Sequence, residues 1–116
     1  MEINFGKDIF DMALIKEIEL NNGVVVKYHR IVSINKITNN CNVIEVASYI
    51  SEAKRQEEIE KLSKGEEMNI FIETNYINKP YNEEETIKEC YEYLKITDMF
   101  NGAINDNNIN TQMINQ

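Results

Sequence analysis

Three runs of alternating residues, joined end to end by tight-turn signals, constrain this chain more than any other feature. The first is LIKEIEL, Leu14 to Leu20. Leu14, Lys16, Ile18 and Leu20 fall on one side, Ile15, Glu17 and Glu19 on the other. A period of two marks a half-buried strand, because successive side chains point to opposite faces. Asn21-Asn22-Gly23 follows. Asn and Gly tolerate positive φ, so this segment predicts a hairpin turn. The second run begins at Val24 and reaches Ile37. Its two faces read Val24, Val26, Tyr28, Arg30, Val32, Ile34 and Val25, Lys27, His29, Ile31, Ser33, Asn35. β-Branched density favours a strand. A length well beyond the usual ~5–6 residues predicts a bend or bulge. Thr38-Asn39-Asn40-Cys41 is a second turn, and NVIEVASYI, Asn42 to Ile50, a third strand. Three such strands in sequence make an antiparallel meander.

The remainder reads as helices and one more strand. Ser51 suits an N-cap and Gly65 a C′ position, predicting a helix over about 51–64. Glu57–Lys61 and Glu60–Lys64 are favourable i,i+4 pairs. Only Ala53, Ile59 and Leu62 are apolar there, so the helix is weak and mostly solvated. EMNIFIET, Glu67 to Thr74, predicts a fourth strand with Met68, Ile70 and Ile72 on one face, and NYINKPYN a loop marked by Pro80. Asn82 is placed to cap a last helix over about 83–97, with Glu83, Glu84 and Glu85 at its positive end. Ile87, Cys90, Tyr91 and Leu94 form its apolar stripe. The expected fold class is α+β, a three-strand antiparallel meander plus a fourth strand and two helices. Residues 13–100 form the single domain, 1–12 an arm or short helix, and 101–116 an Asn-rich flexible tail.

Composition narrows function by exclusion. A chain of 116 residues has room for one core. A net charge of −8 repels a nucleic-acid backbone, so no nucleic-acid partner is expected. No apolar run approaches the ~20 residues of a membrane helix. MEINFGKDIFDM has no signal-peptide apolar region, which places the expected protein in the cytoplasm. Cys41 and Cys90 lack CxxC spacing and read as reduced thiols. There is no Gly-rich phosphate loop, G-x-S-x-G or zinc spacing. No cofactor, no metal and no catalytic set is expected.

The candidate contacts are few. VVVKYHRIVSI holds the only histidine, His29, between Tyr28 and Arg30. Alternation puts Tyr28 and Arg30 on one face and His29 on the other. His29 has no sequence-local Asp, Ser or Cys at a motif spacing and reads as a surface or interface histidine. Arg30 interrupts an apolar face. It can snorkel at a sheet edge, pair with an acid, or bind an anionic ligand. Lys27, Tyr28 and Arg30 are the ligand-contact candidates, since cation and aromatic pairing suits a nucleotide. Tyr91 belongs to the core stripe. Tyr76, Tyr81 and Tyr93 are candidates for an exposed contact patch, because tyrosine suits interfaces.

Several blocks together resemble a family of small proteins of bacteriophages and prophages. The blocks are MALIKEIELNNGVVVKYHRIVSINKI, NVIEVASYISEAKR, MNIFIETNYI and ECYEYLKITDMFNGA, covering about residues 12–103. The shared frame is the opening MAL-K, the NG hairpin, the YHRI strand, the VASY-S-EAKR strand-to-helix junction and the closing YEYLK. Its members are encoded among tail-fibre, baseplate and lysis genes of low-GC Gram-positive hosts. Residues 1–11 precede the usual start and about 104–116 extend past the usual end. The resemblance implies a tail- or baseplate-associated structural protein that docks on another phage subunit, found in the virion. An inhibitor of a host defence protein, either an acidic decoy or an oligomeric nucleotide-sequestering protein, is the alternative. A homo-oligomer is a further option.

Overall fold

The computed structural model describes residues 12–66 and 70–106. In chain order the elements are β1 (Leu14–Glu19), β2 (Val25–Ile37), β3 (Cys41–Tyr49), α1 (Glu52–Ser63), β4 (Glu73–Pro80), α2 (Ile87–Leu94) and β5 (Ile104–Asn105). The strands form one antiparallel sheet in the order β4-β3-β2-β1-β5, with β2 at its centre. The α+β meander is therefore present. Both turns take the conformation their residues favour, with φ of 89° at Gly23 and 61° at Asn39.

β2 is bulged, as its length predicts. Ile31 pairs with Val46 and Ser33 with Glu45, so one residue too many lies on β2 between them. The extra residue reverses the face parity of everything after it. Ile34 pairs with Ile44 and joins the side of Ile31, not that of Tyr28 and Arg30 as strict alternation predicts. A second irregularity lies in β1 between Ile15 and Ile18.

The sheet buries both faces. On one, Leu14, Ile31, Ile44 and Val46 pack with Cys90, Tyr91 and Leu94 of α2 and with Phe100. On the other, Ala13, Tyr28, Ala47 and Tyr49 pack with Ile15, Val32 and Phe71. The Tyr91 hydroxyl ties three segments together. It donates to Met12 O at 2.8 Å and accepts from Ile31 N at 2.9 Å, beside the bulge. Cys41 and Cys90 are free thiols.

Four expectations shift. The fourth strand lies at Glu73–Pro80, where a loop is expected, while of the expected Glu67–Thr74 strand residues 67–69 fall outside the described residues. Ile70 commits its amide to Glu58 Oε2 at 3.1 Å instead of a ladder, and Ile72 N, just before β4, bonds Ser48 O of β3 at 2.7 Å. β4 is polar because it is an edge. Ile77, opposite Ile44, is its one apolar contact with the core, and Pro80 is tolerated at the end of an edge strand. The last helix starts at Ile87, capped by Thr86 and not by Asn82. Thr86 and Glu89 form a reciprocal capping box, and Asn82 Oδ1 instead accepts from Glu84 N at 3.0 Å in the preceding turn. Ile87 is 56% exposed, so the buried stripe reduces to Cys90, Tyr91 and Leu94. Finally, Ile104 and Asn105 pair with β1, and Ala103 and Asp106 are buried. The domain therefore reaches Asp106, past the expected tail boundary at 100. The expected N-terminal arm lies, except for Met12, outside the described residues.

α1 keeps its expected ends only in part. Gly65 (φ 80°) closes it with Gly65 N to Leu62 O and Glu66 N to Lys61 O, the paired bonds of a Schellman motif. Ser51 stands at the N-cap, yet its hydroxyl makes no cap bond. Among the described residues the helix pairs Lys54 with Glu57 at 3.4 Å and Lys61 with Glu66 at 3.8 Å, not the i,i+4 partners. No helix among the described residues is long and apolar enough to cross a membrane.

Candidate functional site

Strand alternation divides Tyr28-His29-Arg30, and the two sides have different fates. His29 is fully buried, contrary to the expected surface or interface position. Its Nε2 bonds Lys16 O at 2.8 Å and its Nδ1 bonds Ser48 Oγ at 2.8 Å. Nε2–H donating to the carbonyl leaves Nδ1 to accept from the serine hydroxyl, so one neutral tautomer satisfies both. The Phe100 ring stands edge-on at 5.1 Å. Burial lowers the His29 pKa, partly offset by the Lys16 carbonyl. His29 is a satisfied core residue that clips β1 to β3 across β2.

The other face carries a cavity of about 330 Å³ between the sheet and α1. Arg30 and Val32 come from β2, Glu45 and Tyr49 from β3, and Thr74 from β4. Arg55, Glu58 and Leu62 come from α1, and Phe71 from the segment before β4. A buried charge network forms the floor. Glu58 Oε1 accepts from Arg55 Nη1 at 2.6 Å and from the Tyr49 hydroxyl at 2.5 Å. Glu58 Oε2 accepts from Ile70 N at 3.1 Å. Desolvation pushes the Glu58 carboxyl up, but hydrogen bonds from Tyr49, Ile70 and Arg55 outweigh it, and its pKa is lowered. Burial, then the bond to Glu58, pushes Tyr49 up to about 12, opposed by the adjacent Arg30 guanidinium. Glu45, at the rim, accepts from Ser33 Oγ at 2.9 Å and from the Tyr76 hydroxyl at 3.3 Å.

Arg30 is half-buried on the central strand, so it does not snorkel at an edge. Among the described residues no carboxylate lies within 4.0 Å of it. The other expected contacts do not converge on it. Tyr28 is 1% exposed and packs edge-on against Tyr49 at 6.0 Å, within the core. Lys27 is exposed and sits 3.8 Å from Glu17. Tyr76 is 67% exposed on the Arg30 face. Tyr93 packs on the opposite face, its hydroxyl on Asn78 O at 3.3 Å, with Lys79 Nζ 5.4 Å from its ring. Tyr81 is half-buried in the turn after β4. Strand β4 thus separates Tyr76 from Tyr93, and no single tyrosine patch forms.

Tyr49, Arg55 and Glu58 escape the sequence reading. Their signal is the i,i+3 Arg–Glu pair in a helix almost without apolar residues. Such a helix can only dock through a polar face, and Arg55 and Glu58 are its buried positions.

Two other polar clusters lie away from this cavity, and in the first of them Asn42 Oδ1 and Glu85 Oε2 are buried with no hydrogen-bond partner among the described residues. Glu85 binds Lys79 Nζ at 2.8 Å and Asn42 Nδ2 at 3.0 Å beneath α2, and the same Asn42 nitrogen reaches Asn82 O at 3.0 Å. Burial, then Glu85, pushes the adjacent Cys90 thiol up to about 11, which leaves it inert. A cavity of about 400 Å³ is lined by Glu19, Leu20, Asn21, Asn22, Glu73 and Asn75. There Asn75 Nδ2 already donates to Glu73 Oε2 at 2.8 Å, and Asn22 Oδ1 accepts from Val24 N at 3.0 Å. Comparison with protein-family models, characterised proteins and solved structures finds no match to this chain.

Proposed function

We propose that this chain is a non-catalytic docking subunit of a bacteriophage tail or baseplate, joined to a neighbouring subunit through the edge of β4. The observation that carries the reading is that edge. Among the described residues, β4 runs eight residues with a strand on one side only. Unpaired amides and carbonyls on such an edge are a template for a strand of another chain. Tyr76 projects from it at 67% exposure, and Ile72 (38%) and Leu62 (49%) lie exposed on the segments beside it. The phage setting rests on the block resemblance over residues 12–103. Mass spectrometry of purified virions from a phage or prophage encoding the chain tests the reading. The chain is expected in tail-containing fractions, and Tyr76→Arg is expected to lower its incorporation. A chain abundant in infected cells but missing from virions overturns it.

Arg30 favours one alternative, an inhibitor of host defence that sequesters a nucleotide. A thermal-shift scan against nucleotides tests this, since a ligand bound only by the folded state raises the melting temperature. No shift with any nucleotide removes it.

A further inference from the structure

We infer that the cavity beneath α1 receives a carboxylate-bearing side chain of the docked subunit, with Arg30 as its counter-charge. This rests on the docking reading and names the anchor of that contact. The two acids that line the cavity among the described residues are committed elsewhere. Glu58 serves Arg55, Tyr49 and Ile70 N, and Glu45 serves Ser33 and Tyr76. The Arg30 guanidinium therefore has the Tyr49 hydroxyl beside it and no described carboxylate within 4.0 Å. A half-desolvated guanidinium offers a planar fork matched to a carboxylate.

Three features select the occupant. The volume, about 330 Å³, is near the lower end of ligand pockets and is ample for a side chain. Val32, Leu62 and Phe71 supply apolar wall for a side-chain stem. In the lining Arg30 and Arg55 balance Glu45 and Glu58, so a phosphate dianion finds no net charge to offset its desolvation, which rises with the square of the charge and is far smaller for a monoanion. Location agrees. Thr74 of β4 lines the cavity and Tyr76 reaches Glu45 at its rim, so a strand added to β4 passes beside the mouth.

The test is a titration of the full chain followed by amide ¹⁵N–¹H spectra. The probes are 4-phenylbutyrate, its uncharged amide 4-phenylbutanamide, and phenyl phosphate. The carboxylate is expected to give saturable shifts centred on Arg30, Tyr49, Phe71 and Thr74, and to bind about tenfold more tightly than the amide. Arg30→Gln is expected to abolish that advantage. Leu62→Asp, at a half-exposed position, sets a competing carboxylate on the wall and, in a variant whose amide spectrum keeps the parent dispersion, is expected to weaken phenylbutyrate severalfold. Equal binding of the amide, tighter binding of phenyl phosphate, no shifts, or affinity unchanged by Leu62→Asp each overturn the inference. The virion assay is independent. Phenylbutyrate bound by a chain missing from virions removes only the tail setting, and a virion protein that ignores phenylbutyrate removes only the carboxylate anchor.

Discussion

Glu58 collects donors from three parts of the chain: the Tyr49 hydroxyl on β3, Arg55 on α1, and the amide of Ile70. With a side chain 5% exposed, it is the main polar link between α1 and the sheet. Glu58→Ala leaves the Tyr49 hydroxyl and the Ile70 amide without this acceptor and takes a buried carboxylate from Arg55. The expected loss is about 3 kcal/mol, read from the urea midpoint at constant m. A loss below about 0.5 kcal/mol, the range of ordinary surface changes, would show the network to be passive. The sign with pH follows from the lowered pKa. Glu58 contributes stability above its unfolded value near 4.5, and that contribution goes as pH falls through the lower folded value. His29 acts earlier. Its folded pKa lies below 6.5, so its contribution is complete above 6.5 and declines as pH falls below it. One proton sets a limiting slope of about 1.4 kcal/mol per pH unit. Urea titrations at pH 7, 6 and 5 should show this decline, and His29→Leu should flatten it. An equally steep decline in His29→Leu would assign it to other groups. Alternation alone made the division of Tyr28 from His29 legible. The burial of His29 was not, because its partners Lys16 and Ser48 sit on other strands, and only the register brings them to its two nitrogens.

At the scale of elements, strong local signals were readable and weak ones were overridden. The β1–β2 and β2–β3 turns and the Gly65 helix stop all follow from positive-φ chemistry. Excess length announces the bulge but not its position, so strict alternation places Ile34 on the face opposite the one it occupies. β4 escapes the alternation pattern because an edge strand needs few apolar residues, and ETNYINKP offers only Ile77 to the core. The start of α2 was a contest between two caps. Asn82 precedes three glutamates, whereas Thr86 has Glu89 at the reciprocal position. Glu89 N donates to Thr86 Oγ1 at 3.1 Å and Thr86 N to Glu89 Oε1 at 3.0 Å, which satisfies two orphan donors at once. Thr86→Ala should therefore cost about 1 kcal/mol. Asn82→Ala should cost less, since its side chain holds only a turn amide, Glu84 N. Paired denaturation midpoints check the order, and a larger loss for Asn82→Ala would move the functional helix start upstream.

For the whole molecule, the two ends of the sheet are finished differently. Among the described residues β4 is a long open edge, which suits docking. β1 is covered over Leu14 and Ile15 by the two residues of β5, and Asp106 N adds a bond to Ala13 O at 2.9 Å. The cover matters because Leu14 is fully buried and belongs to the same cluster as Phe100 and Ala103. The chain after α2 thus returns beside β1 and joins residues 103–106 to residues 13–15. Truncation after Gly102 removes Ala103, β5 and Asp106 together. It should lower the melting temperature and strip hydrogen-exchange protection first from Ala13, Leu14 and Ile15. Amides in β3 should stay protected, since β2 and β4 still flank that strand on both sides. If Leu14 and Ile15 exchange as slowly in the truncated chain as in the full one, β5 does not hold the edge. The open face for partners would then extend to β1 as well as β4, and a Tyr76 variant alone would not abolish docking.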